Sequence, residues 1–339
     1  MCRGMLVLAA VACALGCAVW MGLAMAEEPA AKLPAMKVNE KDGAEMALIP
    51  AGEFLMGTSE EELKALLPVS KEDARAWKSA WGNRNKFDPL PDRKEAFADE
   101  LPQHKVYLDA YYMYKTEVTR AQYRKFCQET GRAMPPNPEW IPTDPEAQAK
   151  HDTEPIVNVS WDDANAYAKW AGGTLPTEAQ WEKAARGGDR RLYPWGDAWP
   201  PTNGAGNLAD QTLKESGWRG LSWSLTIDGY TDGYAYVAPV GKSTANPYGL
   251  YDLAGNVGEW CADWYDAEYY KKSPEKNPTG PETGTDHMIR GGGWGWYQPG
   301  KAPGQFRCAD RNRIKSEGFR SLKSSNEIGF RCVVPSPGP

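Results

Sequence analysis

The stretch Asn246–Tyr265 carries the side chains most suited to chemistry. Asp252 and Asn256 fall between Gly249, Gly255 and Gly258, Glu259 directly follows, and Asp263 lies just beyond. Glycine allows backbone angles that side chains forbid, so oxygen-bearing residues can be turned inward around it. A tight loop of this kind can converge carboxylates and carbonyls on a hard cation such as calcium, which takes six to eight oxygens. The same pattern also suits an Asx-rich turn held by hydrogen bonds with no ion. The spacing is not that of an EF-hand loop.

The elements around this loop are short. Thr119, Ser160 and Thr177 each precede Gln122, Asp163 and Gln180 by three residues, which is the capping-box pattern at a helix start. The first helix would bury Tyr123, Phe126 and Cys127 and stop at Gly131. The second places Ala164, Tyr167, Ala168 and Ala171 on one face and stops at Gly172-Gly173, and the third places Trp181, Ala184 and Ala185 and stops at Gly187-Gly188. Strands are expected at Met46–Pro50, Gly52–Gly57, Val106–Leu108 and Tyr111–Tyr114. Beyond Gly188 no further helix is expected. The fold class is α+β with much irregular chain.

Composition agrees with a loop-rich fold. The 339 residues include 15 Trp and 16 Tyr against 7 Phe, with 34 Gly and 27 Pro. Such a mix suits buried aromatic rivets and not a helical bundle. The net charge of −6, without a basic block, argues against nucleic acid as a partner. His104, His151 and His287 lie far apart in the chain, which argues against a histidine-built zinc or iron site.

Residues 1–26 have the form of an export signal: Arg3, an apolar run from Met5 to Leu23, then Ala24-Met25-Ala26. A retained anchor, or lipidation at Cys17, would be the other readings, and all three put the folded part outside the cytoplasm, in the periplasm or at the cell surface. Cys127, Cys261, Cys308 and Cys332 could then form up to two disulfides. Residues 27–43 read as a linker, 44–334 as one domain and 335–339 as a tail. The charged segment 59–100 reads as a surface insertion, with amphipathic helices at Glu61–Leu67 and Lys71–Trp81.

The motifs GGTLPTEAQWEKAARGG, LYPWGD, NPYGLYDLAGNVGEW, IRGGGW, FRCADRNR and IGFRCV follow one another in this order. Together they resemble the formylglycine-generating enzyme family, also called sulfatase-modifying factors, from about Ala44 to Val334. The resemblance implies a variant of the C-type lectin fold with little regular secondary structure. It also implies two structural calcium sites. In the opening loop the matching ligands are Asp252 and Glu259 through side chains and Gly255 and Val257 through carbonyls; the other set is Asn207, Leu208, Asp232 and Tyr234. Members that oxidise a sulfatase cysteine to formylglycine hold copper on two thiols. Here Gly293–Phe306, where those thiols would lie, contains no cysteine, and Trp296 and Lys301 take their approximate places. The family serine after the RGG glycines is Gly293, and the usual Trp before Glu259 is Gly258. Copper(I) prefers thiolates, so copper is not expected. The cysteine partners that the family provides for Cys308 and Cys332 are Ala168 and Ala185 here, so these two would pair otherwise or stay free.

The resemblance places the altered stretch along a groove. Trp294, Trp296, Tyr297, Lys301 and Arg307 would offer flat apolar faces and cations to a peptide, protein or glycan, or the aromatics would simply fill the core. Asp310, Arg311, Asn312 and Arg313 read as an internal charge network, and Arg320 and Arg331 as structural. Two function classes follow. One is a non-copper accessory or binding module. The other is a family enzyme with different chemistry, as in siderophore maturation, with direct formylglycine generation behind it.

Overall fold

The computed structural model describes residues 35–66, 95–217, 226–227, 229–296, 304, 306–315 and 325–336. Three sheets carry the fold. β1 (Met36–Val38), β2 (Glu45–Ile49), β5 (Tyr111–Tyr114) and β10 (Val333–Pro335) form the first in the order β1-β2-β5-β10. β3 (Gly52–Met56) pairs with β4 (His104–Leu108). β6 (Gly258–Trp264), β7 (Asp286–Arg290), β8 (Asn312–Lys315) and β9 (Ile328–Gly329) form the third, in the order β8-β7-β6-β9. The helices are α1 (Glu60–Leu66), α2 (Arg120–Thr130), α3 (Pro145–Ala149), α4 (Trp161–Trp170), α5 (Glu178–Arg186) and α6 (Gln211–Glu215).

The three capping boxes are all formed. Thr119, Ser160 and Thr177 accept from the amides of Gln122, Asp163 and Gln180, whose side chains reach back to the cap amides. Gly131 and Gly187 end α2 and α5 in the left-handed conformation. The helices α2 and α4 pack through Tyr123, Phe126 and Tyr167, with Tyr123 and Tyr167 stacked at 5.7 Å. Helix α5 buries Trp181, Ala184 and Ala185 against the core residues of β2, β3, β4 and β5. The short helices α3 and α6 are additions to the expected set; each is capped by an aspartate, Asp144 and Asp210.

Two boundaries shift. Met36–Val38 is not linker but an edge strand on β2. It is exposed along its length, so no apolar alternation marks it. The turn after it is also held: Asn39 donates to the Ala171 carbonyl at 2.9 Å, and Asp42 accepts from Tyr114 and Tyr167. The segment 95–100, read as part of a surface insertion, reaches into the core through Phe97 and Glu100, which are buried. Of the two helices expected in that segment, the first is α1, and Lys71–Trp81 lies outside the described residues, as do the export signal and Cys17.

Candidate functional site

The loop that opens on Asn246 is fastened to α5 before it reaches its acidic residues. The Asn246 amide donates to the Ala184 carbonyl at 2.7 Å, while its oxygen accepts from Tyr248 and Leu250. Asp252, Gly255 and Asn256 then take positive φ. Gly255 permits a close approach: a Cβ there would lie 2.0 Å from the Asn207 carbonyl. Asn256 donates its backbone N–H to that carbonyl at 2.7 Å, and the Asn207 amide donates to the Asn256 side chain at 3.1 Å. The two segments expected to bind calcium are therefore sewn together.

Their side chains do not all face an ion. Glu259 is fully buried, and Arg331 grips its carboxylate with two hydrogen bonds of 2.6 and 2.7 Å. Trp181 donates to it as well, at 2.8 Å. The Glu259 oxygens thus anchor an arginine and an indole. Asp252 accepts from the amides of Gly241 and Ser243. Val257 points its side chain into an apolar cluster with Val157 and Trp294.

Glu117, which the sequence did not single out, stands beside them. One of its oxygens accepts from Asn256 at 3.0 Å; the other is buried and has no hydrogen-bond partner among the described residues. Burial first, and the nearby Asp252 carboxylate second, raise its pKa well above the carboxylate range. Glu117 opens the EVT triplet just ahead of α2, but nothing in its spacing announces a contact with a loop so far downstream.

At the second expected set, Asp232 accepts from the amides of Leu208 and Tyr234, both at 2.8 Å. Burial pushes Asp232 up to about 7. The Asn207 side-chain oxygen is buried and unpartnered. Asn207, Asp232, Tyr234 and Asp252 line one cavity of about 220 Å³. Among the described residues no three His, Cys, Asp or Glu side chains are grouped to hold a metal. A cation here would rest on amide and carbonyl oxygens plus Asp232. That donor set, with two orphaned oxygens at Asn207 and Glu117, suits a hard ion such as calcium and not a soft one.

The altered stretch differs from its expected role. Trp294 is 1% exposed, with Trp140 and Tyr236 edge-on to it at 5.6 and 5.4 Å, and donates to the Asn326 carbonyl. Arg307 is buried too: it binds both oxygens of Glu100 at 2.7 Å and the Thr58 hydroxyl at 2.9 Å. Neither is a groove residue. Tyr297 and Lys301 lie outside the described residues. Trp296 is half-buried, and its indole occupies the space above two glycines. A Cβ on Gly258 would meet Trp296 at 3.2 Å, and one on Gly293 would meet it at 3.4 Å. A large side chain at position 258 and the indole at position 296 thus compete for one volume. Glu327 lies against Gly293; burial pushes it up to about 8, against the pull of a hydrogen bond from Trp296.

All four cysteines of the domain are free and buried, which corrects the disulfide expectation. Cys127 and Cys332 belong to one apolar cluster, Cys261 and Cys308 to another. Burial raises every one of these thiols, Cys308 to about 12. The charge network expected at 310–313 is real at its centre. Arg311 binds Glu178 at 2.8 and 3.0 Å, and Asn312 donates to Asp310. Arg313 is half-exposed and lies over Tyr265.

Comparison with known proteins fits this architecture. The Streptomyces coelicolor formylglycine-generating enzyme is 33% identical over 274 residues, covering 69% of this chain and 81% of that protein. A mouse protein named inactive Cα-formylglycine-generating enzyme 2 is 35% identical over 187 residues, covering 55% of this chain and 50% of that one. The structure of PvdO from Pseudomonas aeruginosa superposes with a TM-score of 0.60 at 24% identity, over 90% of this chain and all of that one, and so shares the fold. Residues 32–335 match the sulfatase-modifying factor enzyme 1-like domain, and the chain belongs to that family.

Proposed function

We propose that this chain is an exported, copper-free member of the family that acts as an accessory or binding module for a protein, peptide or glycan. The observation that carries the reading is the indole of Trp296 filling the space over Gly258 and Gly293, in a stretch with no thiol. A Cu(I) site needs accessible thiolates. The four cysteines of the domain are buried with raised pKa and sit in two apolar clusters instead. The mouse relative named inactive supports the same direction. Calcium would serve as a structural ion, held by Asn207 and Asp232 with Glu117 and Asp252 nearby, and would supply charge balance to buried oxygens.

The test is direct. Purified protein is incubated with Cu(I), oxygen and a sulfatase-derived cysteine peptide, and the peptide mass is followed. No conversion and no tight Cu(I) uptake is expected; conversion that depends on any of the four cysteines would overturn the reading. For calcium, EDTA should lower the melting temperature and Glu117→Gln should shrink that response. An identical melt with and without EDTA would remove the ion from the account.

One observation favours an enzyme with other chemistry. Glu327 is a buried carboxylic acid poised near neutrality beside Trp296. Turnover of any substrate by the wild type, lost in Glu327→Gln with the fold intact, would select that second reading.

A further inference from the structure

A cavity of about 460 Å³ runs between Pro50–Leu55 and the far end of α5, with Gly188–Arg190 and Tyr248 completing the wall. Its chemistry follows from strand pairing. β3 has one partner among the described residues, β4. On β4, Tyr107 turns both backbone groups away from β3, donating to the Glu275 carbonyl at 2.7 Å and accepting from Asn277 at 2.9 Å. In an antiparallel pair, residues directly opposite either exchange both hydrogen bonds or neither. Glu53, which stands opposite Tyr107, therefore turns its own N–H and C=O away from β4 and toward the cavity. The period of two along a strand gives Leu55 the same direction. Neither has another backbone partner among the described residues. The cavity is thus bounded by an open strand edge, the geometry that receives an added strand.

The opposite wall is cationic. Lys183 is 5% exposed and donates to the carbonyls of Pro50 and Gly52, both at 2.8 Å. Among the described residues its third N–H has no acceptor and no carboxylate pairs with it. Burial lowers it to about 8. Arg190 is exposed on the rim and has no ion pair among the described residues. The acids of the cavity are already engaged: Glu53 with Lys105 at 3.0 Å, and Asp189 with Arg191 at 2.6 Å. Among the described residues Lys183 and Arg190 are left without counter-ions, while Phe54 and Tyr248 supply apolar surface. A peptide fits the edge, and acidic side chains fit the charge.

We propose that the outer edge of β3 receives an extended acidic segment of a partner protein as an additional strand, with its carboxylates answered by Lys183 and Arg190. This inference rests on the binding-module reading and gives it a site. The experiment is selection of a random heptapeptide phage library on the full chain, followed by fluorescence polarisation of the most enriched peptides. Two variants accompany it. Arg190→Glu reverses an exposed charge, and Leu55→Pro removes an outward N–H while leaving the bonds to β4; circular dichroism checks that both fold. Enrichment of Asp and Glu is expected, with affinity falling about tenfold in Arg190→Glu and with rising salt. If Leu55→Pro fails to fold, Arg190→Glu and amide-for-acid peptides decide alone. Selection without acidic bias, binding indifferent to these changes, or no selected peptide at all would overturn the groove. Those outcomes leave the copper result untouched, whereas copper-dependent conversion would overturn the module reading whatever the groove binds.

Discussion

Removing Arg331 should be among the most damaging single changes in this protein. Its guanidinium spends all its donors inside the core: on both oxygens of Glu259, and on the carbonyls of Tyr114, Lys115 and Tyr251 at 2.8–3.1 Å. Arg331→Met keeps volume and loses every one of these bonds. Breaking a buried ion pair from one side costs about 3–5 kcal/mol, because the remaining charge is stranded. Three carbonyls lose a donor in addition, at about 1 kcal/mol or more each where no water replaces it. The expected loss is therefore about 6–8 kcal/mol, comparable with the whole stability of many domains. The informative measurement is a double-mutant cycle by urea unfolding. Glu259→Met alone should also be costly, while the double variant should lose at least 2 kcal/mol less than the sum of the singles. A coupling below about 1 kcal/mol would refute the argument. So would a Glu259→Met variant whose only defect is loss of stabilisation by calcium, since Glu259 would then face an ion.

Other outcomes follow from the same structure. A thiol reagent should leave Cys127, Cys261, Cys308 and Cys332 unmodified in the native protein and label all four once urea is added without reductant; residual unlabelled pairs would restore a disulfide. Glu327 has a folded pKa of about 8, raised above its unfolded value near 4. The folded state therefore holds a proton that the unfolded state has released. That stability is fully present below about pH 4 and fades as the pH climbs toward 8, by up to about 1.4 kcal/mol per pH unit. Glu327→Gln should flatten the dependence of the urea midpoint between pH 5 and 8, and an unchanged slope would count against it. Gly255→Ala should destabilise by several kcal/mol, since its φ is 75° and the new methyl would lie 2.0 Å from the Asn207 carbonyl; a normal urea midpoint would contradict that contact.

Much of the scaffold was legible because its signals are local. A hydroxyl cap with its partner three residues on, and a glycine at the far end, mark α2, α4 and α5 without reference to anything distant. The edge strand at Met36 was illegible for the converse reason: it is held by backbone bonds alone and buries no face. The site was readable only in part. Spacing around Gly255 announces a loop that crowds oxygens together, and the resemblance names the segments it meets. Spacing cannot say that Glu259 belongs to Arg331, or that Glu117 faces Asp252, because those contacts join distant parts of the chain. Arg307 and Trp294 mislead in the same way. A cation and an aromatic near a suspected cleft look like ligand contacts until Glu100, Trp140 and Tyr236 are seen around them.

The position of Arg331 has a consequence for biogenesis. The residue that closes the core is made late, long after the Glu259 it pairs with, and β10, which borders β5, comes just after it. A ribosome-bound chain that has emerged only as far as residue 325 lacks both, so Glu259 stays without its cation and β5 has β2 beside it but not β10. Such a nascent polypeptide has no route to its final packing until residues 331–335 have emerged.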